Sequence, residues 1–371
     1  MRLVIDSRCL SVPPTGVGHY LLAAVNVWSQ LSPDTEFLLA SHKPLHSQAA
    51  PLLCRALNVK FLVQPARFMP HNGLWWLLHD FVLMAETLGA THLWGSSGLL
   101  PFKVPAGMCR LLTVHDLVWR SLSHTMSGRS RFAYRLLAGR SIRQADQIWA
   151  VSRFTADQIH TFYPQRQCQA VIVGSGLNPM RFQQILSSVY LAEIVRRYGV
   201  HERTLLFVGT LEPRKNLRFL LSLMPRLAQL NIRLLIVGCS GWQQSDLVSI
   251  VQSPGFPRAS VCFCGYLSDN ELQALYQSAA FFISTALMEG FGLPHLEAMA
   301  AGCPVIAADN SAVSEVVREG GWLVKGWEPS EWIKTIQCAF QGREQKVAGL
   351  SGNVHRHDLA QTCMAVHRAI I

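Results

Sequence analysis

The chain has 371 residues, of which 50% are hydrophobic and only 15% are charged, and its formal net charge is +10. This composition excludes a disordered or low-complexity chain, and the length exceeds one average domain, so we expect two domains with sizeable cores. Residues 1–185 carry 17 Lys and Arg against 8 Asp and Glu, so this half is expected to face an anionic surface or substrate.

The first residues, MRLVIDSRCL, have the pattern of a short strand interrupted by Asp6 rather than the long apolar core of a signal peptide. No run of about 18 uncharged apolar residues occurs, so a membrane-spanning helix is not expected. The ten cysteines are scattered and form no C-x-x-C pair. A reduced, cytoplasmic compartment is therefore predicted.

Short apolar runs alternate with helical patterns along the chain, which predicts an α/β class with right-handed β-α-β units and doubly wound parallel sheets. The predicted strands are Leu3–Asp6, Phe37–Ala40, Val59–Val63, His92–Trp94, Leu111–Val114, Ile148–Val151 and Val171–Val173, then Leu205–Val208, Leu234–Val237, Val261–Cys264, Phe281–Ser284, Val305–Ala308 and Leu323–Val324.

The strand series restarts near His201, after a polar, helix-prone stretch over Asn178–Gly199. We therefore predict an N-terminal domain over residues 1–180 and a C-terminal domain over 181–371, facing each other across a cleft. The last helix is a candidate to pack back on the N-terminal domain. Ligands of such sheets bind beyond the carboxyl ends of the strands, so the loops there are the candidate sites.

Two loops of the first half follow predicted strands. In PPTGVGHY, Gly16 and Gly18 would let the turn pass close to a phosphate or sugar, although a tight structural turn explains them equally simply. In VHDLVW, His115 and Asp116 come just after a strand. A buried histidine bonded to a neighbouring carboxylate is the alternative to a functional role for His115.

An arginine-rich segment, SGRSRFAYRLLAGRSIR, covers Ser127 to Arg143 and contains no acidic residue. Phe132, Leu136 and Leu137 have spacings compatible with one apolar side of a helix. A core helix whose arginines face water is one interpretation. We favour a surface that binds anionic lipid headgroups, because the charge surplus lies in this half. The apolar stretch GLWWLLHDFVLMA is interpreted as core.

In the second half, LLFVGTLEPRKNLRFLL has the pattern of a strand ending at Gly209, a loop with Arg214 and Lys215, and a helix. Adjacent cations at such a loop suit a diphosphate, because Arg offers a planar fork and Lys a point charge. Taken alone, the same residues also fit a solvated loop. A second loop on the same sheet edge decides between these interpretations.

That second loop is MEGFGLPHLEAMAAGCPVIAADN, in which Glu289 precedes a glycine turn and Glu297 lies in the following helix. Gly290 and Gly292 allow close approach to a ligand, and the helix start, with Pro294 in its first turn, offers free N–H groups to an anion. Carboxylates beside an anion pocket are expected to accept hydrogen bonds from hydroxyls. A nucleotide sugar, with phosphates between two hydroxyl-rich rings, has that shape.

The two glutamates with G-F-G-L-P, together with G-T-L-E-P-R-K-N, resemble the retaining glycosyltransferases of family 4, which have the GT-B fold. T-G-V-G, T-V-H-D-L and V-S-R-F-T are similar to further blocks of that family, so the resemblance spans nearly the whole chain. It is greatest to the bacterial mannosyltransferases of O-antigen, lipopolysaccharide and exopolysaccharide assembly.

The resemblance implies transfer of a hexose, with mannose and a GDP-mannose donor favoured, to a glycan or lipid-linked sugar at the cytoplasmic membrane face. It implies no metal, no cofactor and no nucleic-acid partner. His115, Arg214, Lys215 and Glu289 are the implied catalytic residues, and Gly16 and Gly18 line the acceptor side. The implied donor-binding residues are Gly209, Arg214, Lys215, Glu289, Gly290, Phe291, Gly292, Leu293 and Glu297.

The chain departs from the family pattern at two positions. Ser175-Gly176 stands where the family usually carries Asn-Gly, and His295 stands where Pro is frequent. Both departures bear on the donor more than on the class of reaction. Two alternatives remain open: a nucleotide-sugar 2-epimerase, and a non-catalytic, membrane-associated scaffold.

Overall fold

The structure, a computed structural model, describes residues 1–67, 72–126, 128–165, 169–174, 181–239, 241, 245–347 and 350, without the side chains of 128–133 and 344–347. The chain divides into two compact units. The first includes Met1–Ser121 and Gly128–Leu177, and the second includes Leu122–Ser127 and Asn178–Asp358. The expected packing of the last helix and the Ser175-Gly176 departure lie outside the described residues.

The described part of the first unit is built on a parallel seven-stranded sheet with the order β3-β2-β1-β4-β5-β6-β7. Its strands are β1 (Arg2–Asp6), β2 (Glu36–Ser41), β3 (Val59–Val63), β4 (His92–Gly95), β5 (Cys109–Val114), β6 (Gln147–Ala150) and β7 (Val171–Ile172). Its helices are α1 (Gly16–Leu31), α2 (Gly73–Trp75), α3 (Phe81–Thr87), α4 (Val118–Ser121), α5 (Gly128–Gln144) and α6 (Arg153–Phe162), with a π turn between α2 and α3.

The described part of the second unit contains a parallel six-stranded sheet with the order β10-β9-β8-β11-β12-β13. Its strands are β8 (Thr204–Val208), β9 (Arg233–Val237), β10 (Val261–Gly265), β11 (Phe281–Ser284), β12 (Val305–Ala308) and β13 (Gly321–Val324). Its helices are α7 (Ser188–Tyr198), α8 (Leu217–Gln229), α9 (Ser245–Gln252), α10 (Asp269–Ser278), α11 (Leu293–Ala300), α12 (Ser311–Val317) and α13 (Pro329–Val347).

Aromatic side chains form much of each core. In the first unit, the rings of Trp28, Trp94 and Trp149 pack edge to face, with centroids 5.1 to 5.9 Å apart. In the second, Phe281 packs edge to face with Trp322 at 5.5 Å and Phe340 at 4.9 Å. Rings of this size remove large apolar areas from water and make each sheet a rigid base for the loops at its carboxyl edge.

Each predicted strand is present, with ends that differ by no more than two residues. This agreement confirms the α/β class and the two parallel sheets. Trp76 of the apolar stretch is fully buried, as its interpretation as core requires. In the second sheet β8 is bonded directly to β11, through Phe281 opposite Leu205 and Phe282 opposite Leu206. The loops after these two strands are therefore neighbours, although they are far apart in sequence.

Candidate active site

The loops that follow β8 and β11 are bonded to each other. The Thr285 hydroxyl donates to the carbonyl oxygens of Lys215 at 3.2 Å and Asn216 at 3.1 Å. The Leu287 N–H donates to the Arg214 carbonyl at 2.8 Å. These bonds bring the loop with the two cations beside the loop with Glu289, as parallel strands with adjacent carboxyl ends predict.

The side chains of these loops form a buried ionic cluster around Glu289. The ammonium of Lys215 donates to Glu289 Oε1, and Arg214 Nη1 donates to Glu289 Oε2 at 2.9 Å. Arg214 Nε also pairs with Glu212 Oε1 at 2.5 Å. The residues Lys215 and Glu289 are 8% and 6% exposed. The two predicted cations and the predicted carboxylate therefore meet in one water-poor place.

Burial by itself raises the pKa of Glu289, but the charges of Lys215 and Arg214 outweigh it and lower that pKa to about 2. Glu289 is therefore ionised at neutral pH. Its backbone is held as well, because its N–H donates to the Ser311 hydroxyl at 3.0 Å. A carboxylate fixed in this way can accept hydrogen bonds from hydroxyl groups, and the two cations beside it can approach a phosphate.

The glycine turn after Glu289 leads into α11. Gly292 precedes the helix with φ +99°, a left-handed value that favours glycine, and Leu293 and Pro294 form the first turn. Phe291 is 7% exposed. Gly209, at the end of β8, has φ +153°, and a Cβ there would lie 3.4 Å from Lys215 Cε. Gly292 thus allows the backbone to turn into α11, and Gly209 leaves room for the side chain of Lys215.

His295, the residue that departs from the family pattern, is 1% exposed and lies in the first turn of α11. Its Nδ1 donates to the Gly292 carbonyl at 3.2 Å, and its ring packs edge to face with Phe282. Burial lowers the pKa of His295 to about 4, so the ring is neutral at pH 7. Its Nε2 is buried and has no hydrogen-bond partner among the described residues.

Glu297 lies within α11 and belongs to a second polar cluster of the same unit. Tyr276 donates from its hydroxyl to Glu297 Oε2 at 3.3 Å, and Arg181 Nη1 is 3.6 Å from Glu297 Oε1. Arg181 also makes a two-point bond to Asp269, at 2.8 and 2.6 Å. Burial raises the pKa of the Glu297 carboxyl, and Arg181 and the tyrosine partly oppose that rise.

His115 follows β5 in the first unit and is partly buried. Its Nε2 donates to the Ser96 carbonyl at 2.8 Å, and its ring packs edge to face with Tyr20 at 5.1 Å. Burial lowers its pKa, an effect partly opposed by the bond to Ser96 and the charge of Asp116. The carboxylate of Asp116 accepts the Val118 N–H at 3.1 Å. This geometry gives His115 a backbone partner rather than a bonded carboxylate.

The two glycines of the first predicted loop differ in their surroundings. Gly16 is exposed at the first residue of α1. Gly18 is buried, and a Cβ there would lie 3.3 Å from the Cys9 carbonyl oxygen and 3.4 Å from Pro14 Cβ. Close packing of α1 on the turn after β1 therefore accounts for Gly18 structurally. The acceptor-side role implied for both residues stays a prediction.

Several polar residues of these clusters have no assigned role in the sequence analysis. Glu212 lies inside the G-T-L-E-P-R-K-N block, so its position between the predicted site residues Gly209 and Arg214 is the signal that could identify it. Arg181 and Asp269 are 88 residues apart in sequence, and no local pattern connects them. Only the folded chain shows that both approach Glu297.

Two features are absent from the residues that the structure describes. No three side chains among the described His, Cys, Asp and Glu residues are grouped so that they could hold a metal ion. Within the described part of the chain, no helix has the length and apolar character needed to cross a membrane.

The ionic cluster lies in a part of the chain with recognisable relatives. Residues 192–348 match the family of the glycosyl transferases group 1. This match covers Arg214, Lys215, Glu289 and Glu297, so these four predicted residues lie in the part of the chain that is similar to group 1 glycosyltransferases. The resemblance to glycosyltransferases is thereby confirmed at this level, and the retaining, family-4 assignment stays a prediction.

Several curated relatives are named mannosyltransferases, and the chain is similar to them at modest identity. The chain is 38% identical over 119 residues to O-antigen chain mannosyltransferase B of Escherichia coli, which covers 31% of each protein. It is 28% identical over 183 residues to the serotype-specific mannosyltransferase WbdA of Escherichia coli, covering 48% of this chain and 22% of that protein. The chain thus spans about a third or less of the length of these two relatives.

Solved structures resemble the whole chain in fold. The structure of Anabaena Alr3699/HepE in complex with UDP and glucose has a TM-score of 0.73 at 15% identity and covers 100% of this chain and 98% of its own. The sucrose-phosphate synthase of Thermosynechococcus elongatus has a TM-score of 0.74 at 18% identity, covering 100% and 98%. Together with the two parallel sheets, these similarities confirm the predicted GT-B fold.

Proposed function

We propose that the protein is a retaining, metal-independent glycosyltransferase. It transfers a hexose, with mannose favoured, from a nucleotide-diphosphate sugar to an acceptor hydroxyl. The observation that carries this proposal is the buried cluster in which Lys215 and Arg214 both bind the Glu289 carboxylate. It combines the cations that a leaving diphosphate needs with the carboxylate that sugar hydroxyls need. It also lies within the part that matches group 1 glycosyltransferases.

In the proposed reaction, the bond between the sugar C1 and the diphosphate oxygen breaks, and its electron pair leaves with the diphosphate. Arg214 and Lys215 stabilise the negative charge that develops there. The acceptor hydroxyl bonds to C1 from the same face, through an oxocarbenium-like state, and its proton passes to the departing diphosphate. No protein nucleophile takes part, and the anomeric configuration is retained.

The remaining site residues have supporting roles in the proposal. Glu289 and the backbone of Gly290–Gly292 hold the transferred sugar and one phosphate, and Glu297 accepts hydrogen bonds from the ribose hydroxyls. Gly209, Phe291 and Leu293 complete the donor site. For the first unit we propose that His115 contacts the transferred sugar. Gly16 and Gly18 are proposed for the acceptor.

GDP-mannose is the favoured donor because two of the curated relatives are named mannosyltransferases. The Anabaena neighbour, solved with UDP and glucose, makes a UDP-sugar the first competitor. The proposed acceptor is a glycan or a lipid-linked sugar in surface polysaccharide synthesis. We further propose that the enzyme works in the cytoplasm, peripherally bound to the anionic inner face of the plasma membrane, with the cations of α5 toward the lipid.

The test is a thermal-shift screen of GDP, UDP and their sugars, followed by incubation of the binding donor with and without an acceptor. We expect GDP and GDP-mannose to raise the melting temperature most. Release of free sugar and nucleoside diphosphate without an acceptor, and an α-linked product from an α-linked donor, would support retaining transfer. An inverted product would contradict the retaining mechanism while leaving the transferase class intact.

The same incubation separates the alternatives. Conversion of the donor to its 2-epimer, without sugar release, would identify the epimerase. A protein that neither binds nor turns over these donors, nor those with other bases, would instead fit the non-catalytic scaffold. The proximity of Arg214 and Lys215 to Glu289 favours transfer over both, because it places two cations for a leaving diphosphate beside a carboxylate for the sugar hydroxyls.

A further inference from the structure

A pocket in the first unit lies where the ends of α4 and α6 meet the side of α5, and it has a volume of about 330 Å³. Its lining combines three arginines with two aromatic rings and one leucine. These residues are Arg120, Arg135, Leu136, Arg143, Phe162 and Tyr163. None of the residues of the donor site belongs to this pocket.

Aromatic rings support two of the three cations. The guanidinium carbon of Arg120 lies 5.4 Å from the centroid of the Phe162 ring, and that of Arg143 lies 5.8 Å from the Tyr163 ring. Cation–π contacts of this kind limit the freedom of a long side chain and leave its N–H groups available to another partner. The two arginines are therefore partly ordered in advance of any ligand.

The packing beneath Tyr163 depends on a glycine of α5. A Cβ at Gly139 would lie 2.9 Å from the Tyr163 hydroxyl oxygen, closer than side-chain atoms pack. The absence of a side chain at Gly139 lets the tyrosine lie against α5, beside Trp119. Specific packing thus places the Tyr163 side of the pocket, and the three arginines around it are exposed.

The positive charge of the pocket is not balanced locally. No carboxylate lines it, and within the described residues none of Arg120, Arg135 and Arg143 forms an ion pair. Another arginine of α5 behaves differently, because Arg140 donates to the Pro101 and Phe102 carbonyls. Three cations around one small volume repel one another unless an anion lies between them.

We propose that this pocket binds a phosphoryl group, either a phosphate monoester or a diphosphate. Planar guanidinium groups bind phosphate oxygens in pairs, which suits a pocket with three of them. Leu136, 61% exposed at the rim, offers an apolar contact next to the charge. Two sources share this chemistry, the headgroup of an anionic lipid and a soluble phosphorylated molecule. The inference does not depend on the proposed transfer reaction.

The experiment is chemical modification of arginine by phenylglyoxal in the wild-type full-length protein. The protein is then cleaved by a protease that does not require arginine, and mass spectrometry shows which arginines are modified. Inorganic phosphate and pyrophosphate are the soluble probes. Vesicles of phosphatidylglycerol with phosphatidylcholine, and vesicles of phosphatidylcholine alone, are the lipid probes. Arg55, an exposed arginine of the first unit without an ion pair in the described structure, is the internal reference.

We expect pyrophosphate or the anionic vesicles to slow modification of Arg120 and Arg143 by roughly tenfold relative to Arg55. Protection by anionic vesicles alone assigns the headgroup as the source, and protection by the soluble probes alone assigns a soluble phosphorylated ligand. Equal rates with and without every probe would overturn the proposal. Equal protection by the two vesicle types, without protection by phosphate or pyrophosphate, would overturn it too, because the arginines would then be covered by lipid without recognition of an anion.

Variants give a second measurement. In the double variant Arg120→Gln with Arg143→Gln, pyrophosphate should protect Arg135, the remaining arginine of the pocket, at least roughly tenfold less well than in the wild type, whereas Arg55→Gln should leave that protection unchanged. Equal protection of Arg135 in these two proteins would exclude the pocket. The rate at Arg214, read in the same digest, reports the donor site. A failure of the pocket is thereby distinguished from a failure of the proposed function.

Discussion

Lys215 donates a hydrogen bond from its buried ammonium to the Glu289 carboxylate, although the two residues are 74 positions apart in sequence. Arg214 binds the second oxygen of the same carboxylate. Glu212 pairs with Arg214 as well, so the cluster contains two cations and two carboxylates. A diphosphate would therefore have to share cations that already have a partner. Changes to the carboxylate and to the cations should therefore have different consequences.

Glu289→Gln should lower kcat by at least about tenfold, equal to about 1.4 kcal/mol of transition-state stabilisation. It should also lower the free energy of unfolding by about 3 kcal/mol, because the ammonium of Lys215 is left buried without its carboxylate. Steady-state kinetics and urea denaturation measure the two effects. Glu193→Gln, which removes an exposed ion pair with Arg197, is the control and should change neither appreciably. Unchanged kcat and KM would remove Glu289 from the mechanism.

Lys215→Ala and Arg214→Ala should each weaken binding of the nucleoside diphosphate product, by roughly tenfold or more, because each removes a charged partner of the leaving group. Product-inhibition constants provide the measurement. Arg218→Ala is a matched control, since Arg218 is exposed and pairs only loosely with Asp246 at 3.5 Å. Full product inhibition in either cluster variant would contradict the phosphate clamp.

A chelator should leave the wild-type rate unchanged if the two cations perform the leaving-group work. The rate is measured before and after treatment with EDTA, and again after Mg²⁺ or Mn²⁺ is restored. Loss of activity that returns with one of these ions would contradict metal independence. It would leave the binding roles of Arg214 and Lys215 to be tested by the product-inhibition measurement.

Arg181→Gln should make nucleotide binding more sensitive to acid. Burial already raises the pKa of Glu297, and Arg181 opposes that rise, so its removal moves the pKa further upward. Glu297 accepts hydrogen bonds from the ribose best as a carboxylate, so nucleotide affinity should fall as the pH drops. In the variant this fall should occur at a higher pH than in the wild type. Nucleotide affinity measured across pH gives the two midpoints. Arg197→Gln, which removes exposed ion pairs only, should reproduce the wild-type curve.

His295 should make the protein less stable in mild acid. Burial depresses its pKa from 6.5 to about 4, so the unfolded chain takes up a proton that the folded chain resists between these values. The free energy of unfolding should therefore fall as the pH drops from 6.5 to 4, by about 3 kcal/mol in total. His295→Gln should lose this slope, measured by urea denaturation at several pH values. An unchanged slope would contradict the assignment.

Glu289 contributes to the free energy of unfolding in a separate range of pH. Its folded pKa of about 2 lies below the ordinary 4.5, so the stability it provides is present above pH 4.5 and is lost as the pH falls toward 2. In Glu289→Gln the loss of stability that belongs to Glu289 should disappear. Because the charge of Glu289 also raises the pKa of His295, the loss that belongs to His295 should still begin near pH 6.5 but extend below pH 4. The two variants thus separate the two groups.

The amino-acid sequence by itself was sufficient to predict the class of fold, because strands buried on both faces appear as short continuous apolar runs between turns. It also singled out Arg214, Lys215, Glu289 and Glu297 as candidates, because each lies in a local block whose residue types belong to one chemistry, and their roles in donor binding stay predictions. Residue type and short-range spacing can be read from the sequence without knowledge of the folded chain.

Which side chain each of these residues contacts was decided only by the tertiary structure. Lys215 meets Glu289 because β8 is hydrogen-bonded to β11, and Arg181 meets Glu297 because the chain returns to α11 after a long separation. The arginine-rich segment is a helix, as predicted, but packing leaves Leu136 exposed while Leu137 is buried. A periodic pattern specifies which residues share a helix face. The neighbours of that face depend on contacts between distant parts of the chain, which no local pattern encodes.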